Sequence, residues 1–168
     1  MLKPKLEAAL NEQINAEMWS AYLYLSMSLH FEHEGRTGIA NWFRIQFQEE
    51  QAHALALMDF VNARDGKVEL APIAGVPTKW DTPLDAFTAT LEHERQVTQL
   101  IHNLYAMAED ERDFATRQKL NTFVAEQVEE EDTVRQIIDD LKLVGNDGVG
   151  IYQLDRELAT RTFVAPTL

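Results

Sequence analysis

The run Trp42-Phe43-Arg44-Ile45-Gln46-Phe47-Gln48-Glu49-Glu50-Gln51-Ala52-His53-Ala54-Leu55-Ala56-Leu57 decides how this chain folds. No Gly or Pro interrupts it from Ile39 to Asp65, which predicts one long helix. Phe43, Phe47, Ala54, Leu57 and Val61 recur at helical spacing on one face, and Glu50 fills the single gap. A carboxylate on the apolar stripe of a core helix is costly unless it is paired or bound to a metal. His53 follows at i+3 on the same face, and carboxylate with imidazole is a ligand set for iron or zinc.

One Glu-x-x-His is weak evidence, since it arises by chance and often marks a surface ion pair. Working outward, however, three more helical stretches carry the same anomaly. Before it, Leu6, Leu10, Gln13, Glu17, Ala21, Tyr24 and Ser28 form a stripe with Glu17 in its middle. After it, Phe87, Leu91, Glu94, Val97, Ile101 and Tyr105 do the same around Glu94. Last, Leu120, Phe123, Gln127, Glu130, Val134, Ile137 and Leu141 carry Gln127 and Glu130 three residues apart. In a metal-free bundle these acids would be four separate desolvation penalties. Brought to one level they become a cage of oxygen ligands with one imidazole, the logic of carboxylate-bridged di-metal bundles.

The fold class expected is all-α. At 168 residues the chain fits one domain, 1–168, with a bundle over about 4–144 and a short C-terminal helix over about 149–161. Helix A is predicted from about Pro4 to Glu34, where Gly35 can cap it. Helix B opens at Thr37-Gly38 and runs to about Asp65, before Gly66. Lys67 to Asp81, with Pro72, Gly75 and Pro77, has no helical period and is long for a loop in a compact domain. Helix B is ~40 Å long at ~1.5 Å per residue. Fifteen or so extended residues reach ~50 Å, enough to cross the whole bundle and start helix C parallel to B. Thr82-Pro83-Leu84-Asp85 is a strong helix start. Helix C is predicted to about Glu109, helix D from beyond Asp113 to about Val144, and a fifth helix over Val149–Arg161, followed by a tail.

Charge and composition narrow the function. Acids outnumber bases 28 to 15, a net charge of −13, so phosphate backbones are repelled and no nucleic-acid partner is expected. Cations are attracted. The absence of cysteine excludes disulfides, thiolate metal sites and iron–sulfur centres, and fits a reducing compartment. No signal-peptide-like segment and no apolar run of ~18 residues occurs, so a cytoplasmic protein without a membrane span is expected.

With four long helices, a long B–C crossover and these acids in this order, the chain resembles the ferritins, most closely the prokaryotic non-haem ferritins. The resemblance covers nearly the whole chain. Glu17 with Tyr24, Glu49-Glu50-x-x-His53, Glu94, and Glu126-Gln127-x-Glu129-Glu130 match the family's ferroxidase pattern. It implies that Glu17, Glu50 and His53 hold one iron, and that Glu50 bridges to a second held by Glu94 and Glu130. Gln127 would orient water or oxygen near that second iron. Tyr24 would hydrogen-bond a ligand carboxylate and donate an electron. Glu49, Glu126 and Glu129, sharing Glu130, resemble a third iron site. The resemblance further implies a homo-oligomeric cage of 24 subunits. Its substrates would be Fe(II) with O2 or H2O2, and its product a ferric oxyhydroxide mineral. No haem is expected, because Met58 is the only helix B methionine and has no haem-binding motif around it.

Two other functions compete with iron storage: a di-metal redox enzyme of the same fold acting on peroxide or an organic substrate, and a purely structural bundle. The first lacks spare length for a substrate pocket and a second Glu-x-x-His. The remaining candidates read as structural. His30 and His33 are expected exposed or at an interface, His93 beside the ligands or at the surface, and His102 at the surface. Met27, Met58 and Met107 are expected in packing, and Trp80 as an anchor for the crossover. Trp19, Leu23, Leu25, Leu29, Phe31 and Ile39 lie off the inward stripes, which predicts a two-fold subunit interface.

Overall fold

The computed structural model describes residues 2–167. Five helices follow in order: α1 (Pro4–His33), α2 (Thr37–Ala63), α3 (Pro83–Asp110), α4 (Phe114–Val144) and α5 (Gly148–Leu158). No strand occurs among the described residues. Gly35 ends α1 with φ +74°, as its position suggested. At the end of α2 the left-handed residue is Asp65, φ 59°, not Gly66. Thr82 caps α3 by accepting from the Asp85 amide at 3.1 Å, and Asp113 caps α4 by accepting from the Thr116 amide at 3.0 Å.

The crossover is fastened to α1 by side-chain donors in sequence order. Asn11 Nδ2 donates to the Lys67 carbonyl at 2.9 Å, Asn15 to the Ala71 carbonyl at 3.3 Å, and Ser26 to the Pro77 carbonyl at 2.7 Å. His30 Nε2 donates to the Trp80 carbonyl at 3.0 Å, and the two rings meet edge to face. Trp80 is thus the anchor expected, and His30 is its half-buried partner. The loop therefore travels the length of the bundle and sets α3 parallel to α2.

The core is two apolar bodies separated by a polar layer. One gathers Tyr24, Met27 and Phe31 of α1, Trp42 and Phe43 of α2, Phe87 of α3 and Val134 to Leu141 of α4. The other gathers Leu6, Leu10 and Ile14, Leu57 and Val61, Val97 and Ile101, and Leu120 and Phe123. Each fully buried Leu, Ile or Phe contributes ~1.5–3 kcal/mol. On every long helix the acid of the stripe falls in the gap between the two bodies. The stripes hold as expected, except that Phe47, Leu91 and Tyr105 are only half-buried and Leu104 takes the inward place beside Tyr105.

Two expectations need correction. Leu23, Phe31 and Ile39 are buried inside the single chain and so cannot form an outward apolar face. The exposed apolar residues of the first hairpin are Tyr22, Leu29 and Leu55. The fifth helix also stops at Leu158, short of Arg161. It lies against α2 so closely that a Cβ on Gly38 would sit 1.6 Å from the Asp155 carbonyl oxygen. Asp155 Oδ1 accepts from the Ile39 amide at 2.9 Å, capping the α2 N-terminus from another helix. Asn41 Nδ2 donates to the carbonyls of Leu158, at 3.2 Å, and Arg161, at 3.0 Å, and so fastens the segment beyond α5 to α2. No helix among the described residues is long and apolar enough to cross a membrane.

Candidate metal centre

The polar layer is built by four helices, each held in register by apolar packing above and below it. Glu17, Glu50 and His53 come together, with one ligand atom from each lying within 4.8 Å of the others. All three are buried, and His53 Nδ1 lies 3.4 Å from Glu50 Oε2. Gln13, one turn before Glu17, donates to Glu17 Oε1 at 2.7 Å, while no hydrogen-bond donor among the described residues reaches Glu17 Oε2. A buried carboxylate oxygen left without a donor is what a metal would satisfy.

Glu94 and Glu130 lie across the layer from this group. Tyr24 donates its hydroxyl to Glu94 Oε1, and Gln127 Nε2 donates to Glu94 Oε2 at 3.1 Å. Gln46 Nε2 donates to Glu130 Oε2 at 2.8 Å and lies 3.4 Å from Glu50 Oε1, so one amide spans two carboxylates. Tyr24 and Gln127 therefore both touch Glu94.

Burial dominates the electrostatics. It raises Glu17 from the ordinary carboxylate value to about 8, helped by the neighbouring Glu50 charge. Glu94 also rises to about 8, through burial and then Glu130. Glu50 is pushed well up by burial and by Glu94, and Glu130 is raised chiefly by burial. Tyr24 is driven well above its ordinary value by burial and the Glu94 charge, so its phenol keeps its proton. Like charges this close cannot all ionise without a cation among them. Oxygen donors with one imidazole suit an ion that stays bound in both ferrous and ferric states.

The remaining candidates border a cavity of about 340 Å³ lined by Glu49, Glu126, Glu129, Glu130 and Arg161, with part of its wall made by residues 164–167. Glu49 and Glu126 are half-buried, and Glu129 is exposed. Glu49 is raised to about 7 by burial, against the lowering pull of Arg161.

Sequence reasoning missed Gln46, Arg161 and the contact made by His93. Gln46 had a signal: Gln13 precedes Glu17, and Gln46 precedes Glu50, by four residues, the spacing that stacks side chains on one helix face. Arg161 had none, because it was placed inside a longer fifth helix. His93 is half-buried, 2.8 Å from Ser20 Oγ and packed against Trp19 and Tyr24, and burial lowers it to about 4, which keeps it neutral.

Known proteins share the fold. The ferritin-like domain profile matches residues 7–144. The bacterial non-heme ferritin of Bacteroides fragilis is 47% identical over 96% of this chain and 100% of its own length. That of Staphylococcus epidermidis is 38% identical over 97% of this chain and 98% of its own. Among solved structures, an engineered closed form of the Archaeoglobus fulgidus ferritin is 48% identical with a TM-score of 0.96, covering 98% of this chain and 100% of that one. The open pore ferritin of the same archaeon gives a TM-score of 0.95 at 48% identity, covering 96% of this chain and 100% of that one. With a full-length match of fold and sequence, this chain belongs to the ferritin family.

Proposed function

We propose that this protein, acting as one unit over residues 1–168, stores iron in the cytoplasm. It takes in Fe(II), oxidises it at a two-iron centre, and deposits ferric oxyhydroxide inside a closed shell of its own copies. The observation that carries this reading is the single polar layer. Four helices each place a buried carboxylate in it, and Glu17 and Glu94 are held near 8 by burial and mutual repulsion. Such a layer is unstable with every group ionised and stable with cations in it.

In this reading Glu17, Glu50 and His53 bind one ferrous ion, Glu94 and Glu130 a second, and Glu50 bridges them. Each ion gives one electron to oxygen or hydrogen peroxide. Tyr24 fixes the Glu94 carboxylate by its hydroxyl and lies close enough to supply a further electron. Gln127 holds the other Glu94 oxygen and orients water at the second position. Gln13 and Gln46 keep their carboxylates aimed into the layer. Glu49, Glu126 and Glu129, with Glu130, offer a third position where oxygen ligands hold an ion loosely on its way to the mineral.

The shell is supported by Tyr22 and Leu29, seven residues apart on one face of α1 and 49% and 54% exposed, with Leu55 on α2 at 58%. Exposed apolar side chains on the first hairpin call for a partner surface, and a second copy supplies one by two-fold symmetry. A cage of 24 subunits is the assembly proposed, which gel filtration would place at several hundred kilodaltons.

Glu50→Ala tests the centre, because it removes the only carboxylate shared by both irons. Stopped-flow absorbance after anaerobic Fe(II) meets oxygen should lose its fast phase while the helical fold persists. Initial kinetics equal to the parent's would overturn the assignment.

A further inference from the structure

The chain leaves the helical path after Leu158, and this turns Arg161 back across α2. Its guanidinium is then fixed on several sides. Nη2 donates to Glu49 Oε2 at 2.5 Å, and Nη1 donates to Gln46 Oε1 at 3.0 Å and to the Trp42 carbonyl at 3.3 Å. The group also lies over the Trp42 ring, 4.6 Å from its centroid.

Gln46 is fully buried, and a primary amide has one accepting end and one donating end. Arg161 can only donate, so it claims the oxygen end of Gln46. The amino end must then face Glu130 and Glu50. The reverse orientation would turn the amide oxygen toward two carboxylates and the amino group toward a cation. Arg161 therefore decides which way Gln46 points, although it touches neither Glu130 nor Glu50 itself.

The same guanidinium supplies the positive charge at the edge of the acidic cavity. Glu49 is its ion-pair partner and also one of the acids proposed to hold a third ion. A divalent cation brought to Glu49 would meet a fixed cation on the same carboxylate. The two cannot share that oxygen.

We propose that Arg161 is a resident counter-charge for the third metal position. An ion binds at Glu49 Oε2 only by displacing the guanidinium, and that displacement frees Gln46 and so couples the position to the carboxylates Glu50 and Glu130. The proposal rests on the two-iron reading of the polar layer. It makes the third ion the weakest and last to bind, and it leaves the Glu49 charge balanced while the position is empty. A purely structural role, docking the tail onto α2, would loosen residues 162–167 on substitution without altering metal binding.

Zn(II), which neither gives nor takes electrons, separates these cases by equilibrium dialysis of the assembled protein. The parent should bind two ions tightly and a third more weakly. In Arg161→Gln the third should tighten about threefold to fivefold, the upper part of the range for a partly exposed ion pair. Arg161→Lys, which keeps the competing charge, should stay nearer the parent. In the unaltered protein, indole fluorescence should change with the third equivalent as the guanidinium leaves Trp42, and Glu49→Gln should abolish that change. A third-site affinity in Arg161→Gln within twofold of the parent overturns the proposal. So does silent fluorescence at the third equivalent, which decides the matter even if the substituted chains fail to assemble. Loss of the two tight ions from the parent itself would instead overturn the two-iron reading, and this proposal with it.

Discussion

Arg64, the first residue beyond α2, and Asp113, the cap of α4, face each other as a two-pronged ion pair with both contacts at 2.9 Å. The pair ties the far end of the first hairpin to the turn of the second. Asp113 also accepts from the Thr116 amide, so one carboxylate serves a cap and a cross-link. Its pKa is held down at about 2, first by Arg64.

Removing that carboxylate should therefore cost more than a cap alone. Asp113→Ala is expected to destabilise the fold by about 2 kcal/mol, roughly half of it from the cap. Asp113→Asn, which still caps, should cost less. Because the folded value lies below the ordinary 3.8, the stabilisation is complete above pH 3.8 and is lost as pH falls through about 2. Denaturant midpoints measured across that range would check both statements.

The polar layer has the opposite sign. Glu17 and Glu94 have folded values near 8, above the unfolded value of 4.5. The unfolded chain releases these protons first, so the stability of the metal-free protein should fall as pH rises from about 4.5 to 8. Metal reverses the preference by expelling the protons. Zn(II) binding at pH 7 should release about one to two protons per subunit, read by calorimetry in buffers of different ionisation enthalpy. Binding without proton release would show that the layer is already ionised.

Tyr24 brings a phenol to the layer, and its hydroxyl lowers the Glu94 pKa against burial. Tyr24→Phe should raise Glu94 further and weaken the Glu94/Glu130 position by about tenfold, the scale of a hydrogen bond to a charged group. The Glu17/Glu50/His53 position should be unchanged. Zn(II) dialysis of the variant distinguishes the two ions, and equal weakening of both would contradict the division of roles.

Gly38→Ala is expected to undock α5 while sparing the four-helix bundle. The added methyl has no room, because it would fall 1.6 Å from a backbone oxygen, not from a side chain that could move aside. Hydrogen exchange should then speed up through residues 148–158 and at the Ile39 amide, which Asp155 now caps. Unchanged protection there would mean that the two backbones separate at little cost.

The helices and their inward faces were legible because each depends on local rules. Apolar spacing, Thr82-Pro83 as a start, and Gly35 as a stop act within a turn or two of chain. The acids of the layer were legible because they break those same patterns. Arg161 and Gln46 were not. The significance of Gln46 lies in a bond to Glu130, 84 positions away, and that of Arg161 in a helix ending three residues earlier than its composition suggests. Nothing in Leu158-Ala159-Thr160-Arg161 forbids a further turn. The helix ends where Asn41, on another helix, binds the carbonyls of Leu158 and Arg161. The outward apolar face was misjudged for a related reason: Phe31 and Ile39 flank a tight turn, where the chain closes over its own side chains.

The donors that support the acids sit at very different distances along the chain. Glu17 is held by Gln13, four positions away, and His53 stands three positions from Glu50. Glu94 depends on Tyr24, 70 positions off, and Glu130 on Gln46, 84 positions off. During synthesis the first hairpin can therefore assemble its share of the layer while the second is still unmade. The other share waits for the crossover to close, the slow step when contacts are distant in sequence. An ion caught by a nascent chain would be gripped by one half alone, and chemistry that needs a pair of ions would begin only after both hairpins had docked.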